Sequence, residues 1–420
     1  MSSSTNQAFS SSSKILKSKI EKLVFGGAGL SRDQGFVLFV PFTAPGDLIE
    51  ATITKEKKNY KFAKLHRLIK ASPQRTSPRC PYYAHCGGCQ LQHLNPEAQL
   101  QAKRSFLEDA FGPVPPLTPS PEVWHYRSHI RLNLSRGTFG FKACDQTTLV
   151  EIDSCSLFLP PDHDFFRILR QGINKLNESG SFRLFKATAT HFVLAFSFPK
   201  KLPKSRDHLV KTLMETLPLQ GIALKSPSGE EHFGITTISR RICELEVTFS
   251  PYGFMQNNLF LTPHLYETLV KWAQPNGKSI LDLYSGVGIT SLLLAQAGGS
   301  VVGVEESPAA VKCAKENQAQ NAVKGVTFEL SKAEKALKKT KPVDLVIVNP
   351  PKTGLSKPVR DSLLELQPAE IFYISCMPAT LKRDLTDLIG YERSEILGFD
   401  LFPQTTHLET LVKMVRKNLN

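Results

Sequence analysis

The run Ile280-Leu-Asp-Leu-Tyr-Ser-Gly-Val-Gly-Ile-Thr290, followed by the apolar stretch Ser291–Ala297, decides the fold. A short apolar strand closes at Asp282–Tyr284, a tight turn carries Gly286 and Gly288, and a helix follows. This is the opening strand–turn–helix of a doubly wound α/β sheet. Its glycines let a ligand approach the backbone at the carboxyl end of the strand. A second strand, Ser300–Val304, ends in Glu305, about twenty residues past the turn, where such folds place the acid that accepts hydrogen bonds from a ribose. The turn has no third glycine at dinucleotide spacing and no Lys-Ser/Thr for a triphosphate. It therefore predicts an adenosine-type cofactor of another kind. The later strands Val343–Val348 and Ile371–Ser375 end at Asn349-Pro-Pro-Lys352 and at Cys376-Met-Pro378. Three strands thus carry polar residues at the edge where open α/β sheets bind ligands.

The chain has 420 residues, enough for two or three domains with separate cores. Its hydrophobic fraction of 41% is that of a soluble globular protein, and no apolar run approaches membrane-spanning length. The Ser-rich start, residues 1–13, reads as a disordered leader of a cytoplasmic protein. No membrane association and no obligate protein partner are expected. The net charge of +14 favours a polyanionic partner. Residues 14–72 carry 12 Lys/Arg against 5 Asp/Glu, a net +7 and half of the whole excess.

Those same residues hold short apolar segments broken by Gly26-Gly27-Ala-Gly29 and Pro45-Gly46-Asp47, a pattern that predicts a small β-barrel. Lys55-Glu-Lys-Lys-Asn-Tyr-Lys61 is a basic, aromatic-tipped segment suited to phosphates. The stretch resembles a TRAM domain, an RNA-binding barrel of the OB type, through Gly26–Gly29, Val40-Pro41, Pro45-Gly46-Asp47 and Lys58–Ala63. Residues 71–79, rich in Pro and Arg, read as a linker. Beyond it, Cys80-x5-Cys86-x2-Cys89 gathers three of the eight cysteines. Zinc sites more often pair two Cys-x2-Cys units, whereas a four-iron cluster takes four cysteines. Cys144 and Cys155 compete for the fourth position.

Cys376 ends an apolar strand beside a helix start, where a thiol pKa is lowered. A nucleophilic thiolate next to a methyl donor suits pyrimidine chemistry: adding it to C6 makes C5 nucleophilic, and a carboxylate base then removes the C5 proton. Glu409, a charge within a strand-like tail, is the candidate base. Gln256, upstream of the predicted helix Thr262–Ala273, has donor and acceptor groups for a zwitterionic ligand.

These motifs together resemble the S-adenosylmethionine-dependent RNA 5-methyluridine methyltransferase family, rRNA type, with a TRAM domain and an iron–sulfur cluster. They are the three clustered cysteines, Leu281–Gly288, Val302-Gly-Val-Glu305, Asn349-Pro-Pro, Ser375-Cys376-x-Pro378 and Phe402-Pro-Gln-Thr-x-His-x-Glu409. The resemblance implies Cys376 as nucleophile, Glu409 as base, and Gln256, Tyr284, Glu305 and Asn349 around the cofactor. It implies Cys80, Cys86, Cys89 and Cys155 as ligands of a [4Fe-4S] cluster. It implies a C-terminal Rossmann-like α/β methyltransferase domain (247–420), an N-terminal TRAM barrel (14–72) and a central α+β iron–sulfur domain (73–246). The expected substrate is a uridine of rRNA, 23S foremost, with tRNA or a non-catalytic RNA-binding role as alternatives. Asn349 stands where the family has Asp, Ser285 where a cysteine is common, and Met377 where Asn is usual.

Overall fold

The computed structural model describes residues 15–33, 35–158 and 164–417. The leader expected over residues 1–13 lies outside them. The described chain forms two compact units: residues 15–79, 89–102 and 404–406 in one, and the remainder in the other.

The first unit is a rolled sheet. β1 (Ile15–Lys19), β2 (Lys22–Leu23), β3 (Ala28–Asp33), β4 (Phe36–Pro41), β5 (Leu48–Glu56) and β6 (Tyr60–Lys70) lie in the order β1-β5-β6-β4-β3-β2. β1 and β2 are separated by two residues yet occupy opposite edges, so the sheet must curl until those edges meet. Ile20, Leu38, Val40, Ile49, Ala51 and Ala63 fill the interior. Asp47, the acid of the Pro-Gly-Asp turn, is fully buried. It accepts hydrogen bonds from Ala44 N (2.6 Å), Ser72 N (2.9 Å) and Arg75 Nη2 (2.7 Å). The expected linker is thereby pinned to the barrel, because a buried carboxylate must be satisfied by several donors.

Helix α1 (Pro96–Phe111) leads into the second unit. There β7 (His129–Ser135), β8 (Thr138–Lys142), β9 (Leu149–Glu151), β10 (Ser179–Lys186), β11 (Phe192–Ser197), β12 (Leu219–Ser226) and β13 (Gly229–Gly234) make a sheet ordered β13-β12-β11-β10-β7-β8-β9. Helices α2 (Phe165–Ile173) and α3 (Arg206–Thr216) bury Phe166, Leu169, Leu209 and Leu213 against Leu132, Phe182, Leu184 and Phe196 on one face. On the other, Phe185, Val193, Ala195 and Ala223 join a core with the hairpin β14 (Ile238–Ile242) and β15 (Leu245–Phe249) and the elements beyond it. That shared core is why residues on both sides of position 246 form one compact unit.

The remaining elements are α4 (Thr262–Ala273), β16 (Ser279–Leu283), α5 (Ile289–Gln296), β17 (Ser300–Glu305), α6 (Pro308–Gln320), β18 (Val326–Leu330), α7 (Ala333–Leu337), β19 (Leu345–Val348), α8 (Lys357–Leu366), β20 (Glu370–Ser375), α9 (Pro378–Asp387), β21 (Tyr391–Phe399) and β22 (Glu409–Arg416). Their strands form a sheet ordered β18-β17-β16-β19-β20-β22-β21, parallel from β18 to β20, with β22 antiparallel. The strand order reverses between β16 and β19, the switch point at which such sheets hold ligands. β19 is fully buried as Leu-Val-Ile-Val, the continuous apolar run of a strand covered on both faces.

Candidate active site

The cofactor turn leaves β16 at Tyr284, whose φ of 62° is left-handed, and reaches Gly286 (φ 55°) and Gly288 (φ 88°) before α5 begins. A Cβ at Gly288 would press on Phe328 Cζ at 2.6 Å, so close packing requires glycine there. A Cβ at Gly286 would meet nothing, which leaves open space over the turn. Glu305, at the end of β17, holds the turn in place: its two oxygens accept from Gly286 N (3.1 Å) and Ser307 N (2.9 Å). Each oxygen keeps a further lone pair for a ribose hydroxyl. The Ser285 hydroxyl is buried in the turn with no protein partner among the described residues. An adenosine-type ligand fits this cradle.

Beneath the turn lies Asp282, which sequence reasoning passed over. It is buried, accepts from Ser291 Oγ at 2.5 Å, and is pushed up to about 7 by burial, with the Glu305 charge adding to the rise. Asn349 follows β19 across the switch point, its N–H reaching Leu283 O at 3.5 Å. Tyr284 is half-buried, and burial with the charges of Glu334, Glu306 and Asp384 raises its hydroxyl to about 12. Gln256 is buried in the coil before α4, between Met255 of the core and Asn257, whose Oδ1 accepts from His129 N (3.1 Å). Among the described residues no hydrogen bond ties it to the other predicted cofactor residues.

Cys376 and Glu409 come together. β20 and β22 are neighbours, with Ser375 paired to Thr410, so the residue after one strand and the first of the other share an end of the sheet. Glu409 is buried and its carboxyl is pushed up to about 8, with only Lys352 opposing the rise. Cys376 is half-buried, and its thiol is pushed up to about 11 by burial and by the Glu409 charge, again opposed by Lys352. This corrects the expectation of a lowered thiol. Helix α9 does start directly after Cys376, at Pro378, but desolvation and a neighbouring carboxylate outweigh the helix terminus. Thr410 Oγ1, next to the carboxylate, is buried with no protein partner among the described residues.

Lys352 is the cation of the site, and the sequence reading gave it no role. Its charge acts on Cys376, Glu409 and His407 alike. The loop that carries it is strapped to α9. Thr380 Oγ1 donates to Lys352 O (3.2 Å), and Arg383 Nη2 to Thr353 O (2.9 Å). The hub is Asp384, fully buried. It takes Leu355 N at 2.7 Å, Tyr373 OH at 2.7 Å, Arg383 Nη2 at 2.6 Å and Arg360 Nη1 at 3.1 Å. Behind β22, fully buried Lys103 pairs with Asp400 at 2.5 Å and donates to Phe402 O at 2.9 Å, anchoring the segment that leads to Glu409. An aspartate inside a helix and a lysine in an amphipathic one carry no local signal of such roles.

Cys80, Cys86 and Cys155 fall in the second unit and Cys89 in the first. Burial pushes the Cys86 thiol up to about 11, and Cys155, Cys80 and Cys144 raise it further. Cys144 is exposed, its Sγ reaching Ala84 O and Cys86 O at 3.4 Å. Among the described residues no three His, Cys, Asp or Glu side chains converge tightly enough to hold a metal ion. The donor chemistry fits a soft metal centre, and Cys80, Cys86 and Cys155 lie near enough for their charges to act on one another. Gly87 also has a structural reason. Its backbone bonds Lys142 O at 2.9 Å, and a Cβ would meet Ala143 O at the same distance.

The family model for tRNA (uracil-5-)-methyltransferase matches residues 243–417, and that for the TRAM domain of tRNA (uracil(54)-C(5))-methyltransferase matches residues 16–74. An uncharacterized RNA methyltransferase of Protochlamydia amoebophila is 40% identical, covering 95% of this chain and 97% of its own. The 23S rRNA (uracil(1939)-C(5))-methyltransferase RlmD of Shewanella amazonensis is 33% identical over 96% of each chain. The crystal structure of Pyrococcus abyssi tRNA (uracil-54, C5)-methyltransferase in complex with S-adenosyl-L-homocysteine superposes with a TM-score of 0.77 at 28% identity, covering 95% of this chain and 100% of that one. The chain therefore belongs to the S-adenosylmethionine-dependent RNA uracil-C5 methyltransferase family.

Proposed function

We propose that the protein methylates C5 of a uridine in rRNA through a covalent Cys376–C6 adduct. The observation that carries this reading is the meeting of Cys376 and Glu409 under one cation, Lys352, at the end of the sheet that bears the cofactor turn. When bound, S-adenosylmethionine supplies an electrophilic methyl group. Tyr284, Glu305, Asn349 and Gln256 would hold it.

The thiol of Cys376 loses its proton to solvent as Lys352 offsets the negative charge. The Sγ–C6 bond then forms, electron density moves to the O4 enolate, and C5 becomes the nucleophile. After the methyl group has joined C5, the Glu409 carboxylate takes the C5 proton, the double bond returns and the Sγ–C6 bond breaks. A base with a pKa near 8 matches a proton acceptor working close to neutral pH.

rRNA is preferred because full-length similarity extends to a 23S rRNA enzyme at 33% identity. The archaeal structural relative, a tRNA enzyme, keeps tRNA as the second reading. We also propose a [4Fe-4S] cluster on Cys80, Cys86 and Cys89, with the remote Cys155 as the fourth ligand by family resemblance; no step of the reaction runs through it. Iron and acid-labile sulfide content of anaerobically purified protein tests this, and their absence refutes it. Cytoplasmic residence fits a chain in which no disulfide joins the cysteines; among the described residues no helix is long and apolar enough to cross a membrane.

The deciding experiment incubates the protein with 5-fluorouridine-substituted RNA and the methyl donor. Fluorine at C5 cannot leave as a proton, so a covalent RNA–protein band is expected, lost in Cys376→Ala. Sequencing the trapped RNA separates rRNA from tRNA. No band despite methyl-donor binding refutes C5 chemistry.

A further inference from the structure

The barrel carries a ring cluster on its outer surface that the methyl-transfer site does not use. Along β6 the residues Tyr60, Lys61, Phe62, Ala63 and Lys64 alternate between exposed and more buried positions, so Tyr60, Phe62 and Lys64 point outward. Tyr60 is 38% exposed and Phe62 40%. Phe39 of β4 pairs with Phe62 across the parallel ladder. The three rings lie together, with centroids 5.9 Å (Phe39–Tyr60), 5.7 Å (Phe39–Phe62) and 5.5 Å (Tyr60–Phe62) apart. Phe62 faces Lys55 of β5 on its other side. A row of ring, ring and ammonium therefore runs across three strands. Tyr60 stands at the foot of the tight turn closed by Lys57 N to Tyr60 O at 2.9 Å, whose tip carries Lys57 and Lys58.

Apolar rings left in water on the outer face of a sheet carry a hydration cost that a structural role would avoid by burial. A polar residue would serve folding as well. Charge selects the occupant: residues 55–70 hold seven Lys/Arg against one acid, which suits a polyanion and disfavours an apolar protein segment or a second copy of this basic chain. Flat faces beside cations are what an unpaired nucleotide engages, the base stacking and the phosphate pairing with lysine. A duplex, whose bases are already stacked, offers the rings nothing.

We propose that Phe39, Tyr60 and Phe62, with Lys55, Lys57 and Lys58, form a second RNA subsite that stacks unpaired bases of the substrate outside the target uridine. The proposal rests on the RNA reading above and deepens it. It requires an accessible single strand in the RNA and gives the barrel a preference for unpaired over paired segments.

The test uses the full-length protein and short oligoribonucleotides containing 2-aminopurine, whose fluorescence is quenched on stacking. Tyr60→Ala/Phe62→Ala should bind the single-stranded probe roughly tenfold or more weakly and lose the quench. Its affinity for a duplex of the same length and its thermal unfolding should be unchanged. Phe62→Trp should keep both the affinity and the quench, and Phe62→Leu should not. Equal loss for single strand and duplex, equal behaviour of the Trp and Leu variants, or wild-type binding by the double variant would each overturn the proposal. The 5-fluorouridine adduct at Cys376, measured on wild-type protein, fails only if the C5 chemistry is wrong. The two readings thus fail separately.

Discussion

Two glutamates show how differently the two units use charge. Glu50, on the exposed face of the barrel, is held below its usual range by the Arg67 guanidinium that donates to it at 3.0 and 3.1 Å. Glu409, buried at the start of β22, is pushed up to about 8. On the barrel, water solvates the ions, and each one contributes a modest, salt-sensitive share of binding to a polyanion. At Glu409 desolvation makes the same side chain reluctant to ionise, so that once ionised it is a stronger base, as the proposed proton-accepting role requires. The lesson is that solvation decides the role: exposed charge recognises, while buried charge reacts.

The contrast can be broken most sharply at Glu409. Glu409→Gln should lower turnover by roughly 10²- to 10⁴-fold while adduct formation with unmodified RNA persists, because bond formation at C6 does not need the base. A quench–denaturing gel reads the accumulation. In the wild-type protein the rate should rise with pH through about 8 as Glu409 ionises. Stability runs the other way. Glu409 titrates near 4.5 when unfolded and about 8 when folded, so its contribution is fully present below 4.5 and is lost as pH rises through 8. Glu409→Gln should therefore unfold at a higher temperature than wild type at pH 9 and lose that advantage at pH 4.

The hub behind the site comes next. Asp384→Asn leaves Arg360 and Arg383 facing a neutral partner and should cost about 3–5 kcal/mol in chemical denaturation. Methyl-donor affinity of the folded fraction should change less than turnover, since the loop it anchors carries Lys352. On the barrel, Lys57→Ala/Lys58→Ala should weaken RNA binding across sequences and flatten the salt dependence by about two units of slope, one for each lysine, with turnover at saturating RNA unchanged. The smallest effect lies at Met377, the N-cap of α9, which makes no side-chain cap bond. Met377→Asn should raise stability by about 1 kcal/mol.

Much of the sheet could be read in advance because its signals are local. β16, β17 and α4 lie where the apolar runs end and the turn residues stand, and the Gly-Val-Gly turn shows a left-handed backbone at both glycines. Helix α9 begins at Pro378, which occupies its first turn, directly beyond Cys376 as expected. The cysteine spacing was equally legible, but spacing cannot say which thiols come near one another; in the fold Cys80 and Cys155 act on Cys86. The linker reading of residues 71–79 missed a carboxylate, Asp47, contributed from the barrel.

The chain by itself determined its family and its cofactor turn, and it singled out Cys376 and Glu409 as the pair on which the proposed chemistry rests, because these depend on residue type at fixed spacing. Tertiary structure alone decided their ionisation. The pKa values of Cys376 and Glu409 depend on burial and on a lysine more than twenty residues from one and more than fifty from the other, and desolvation is a property of the packed site that no local pattern encodes.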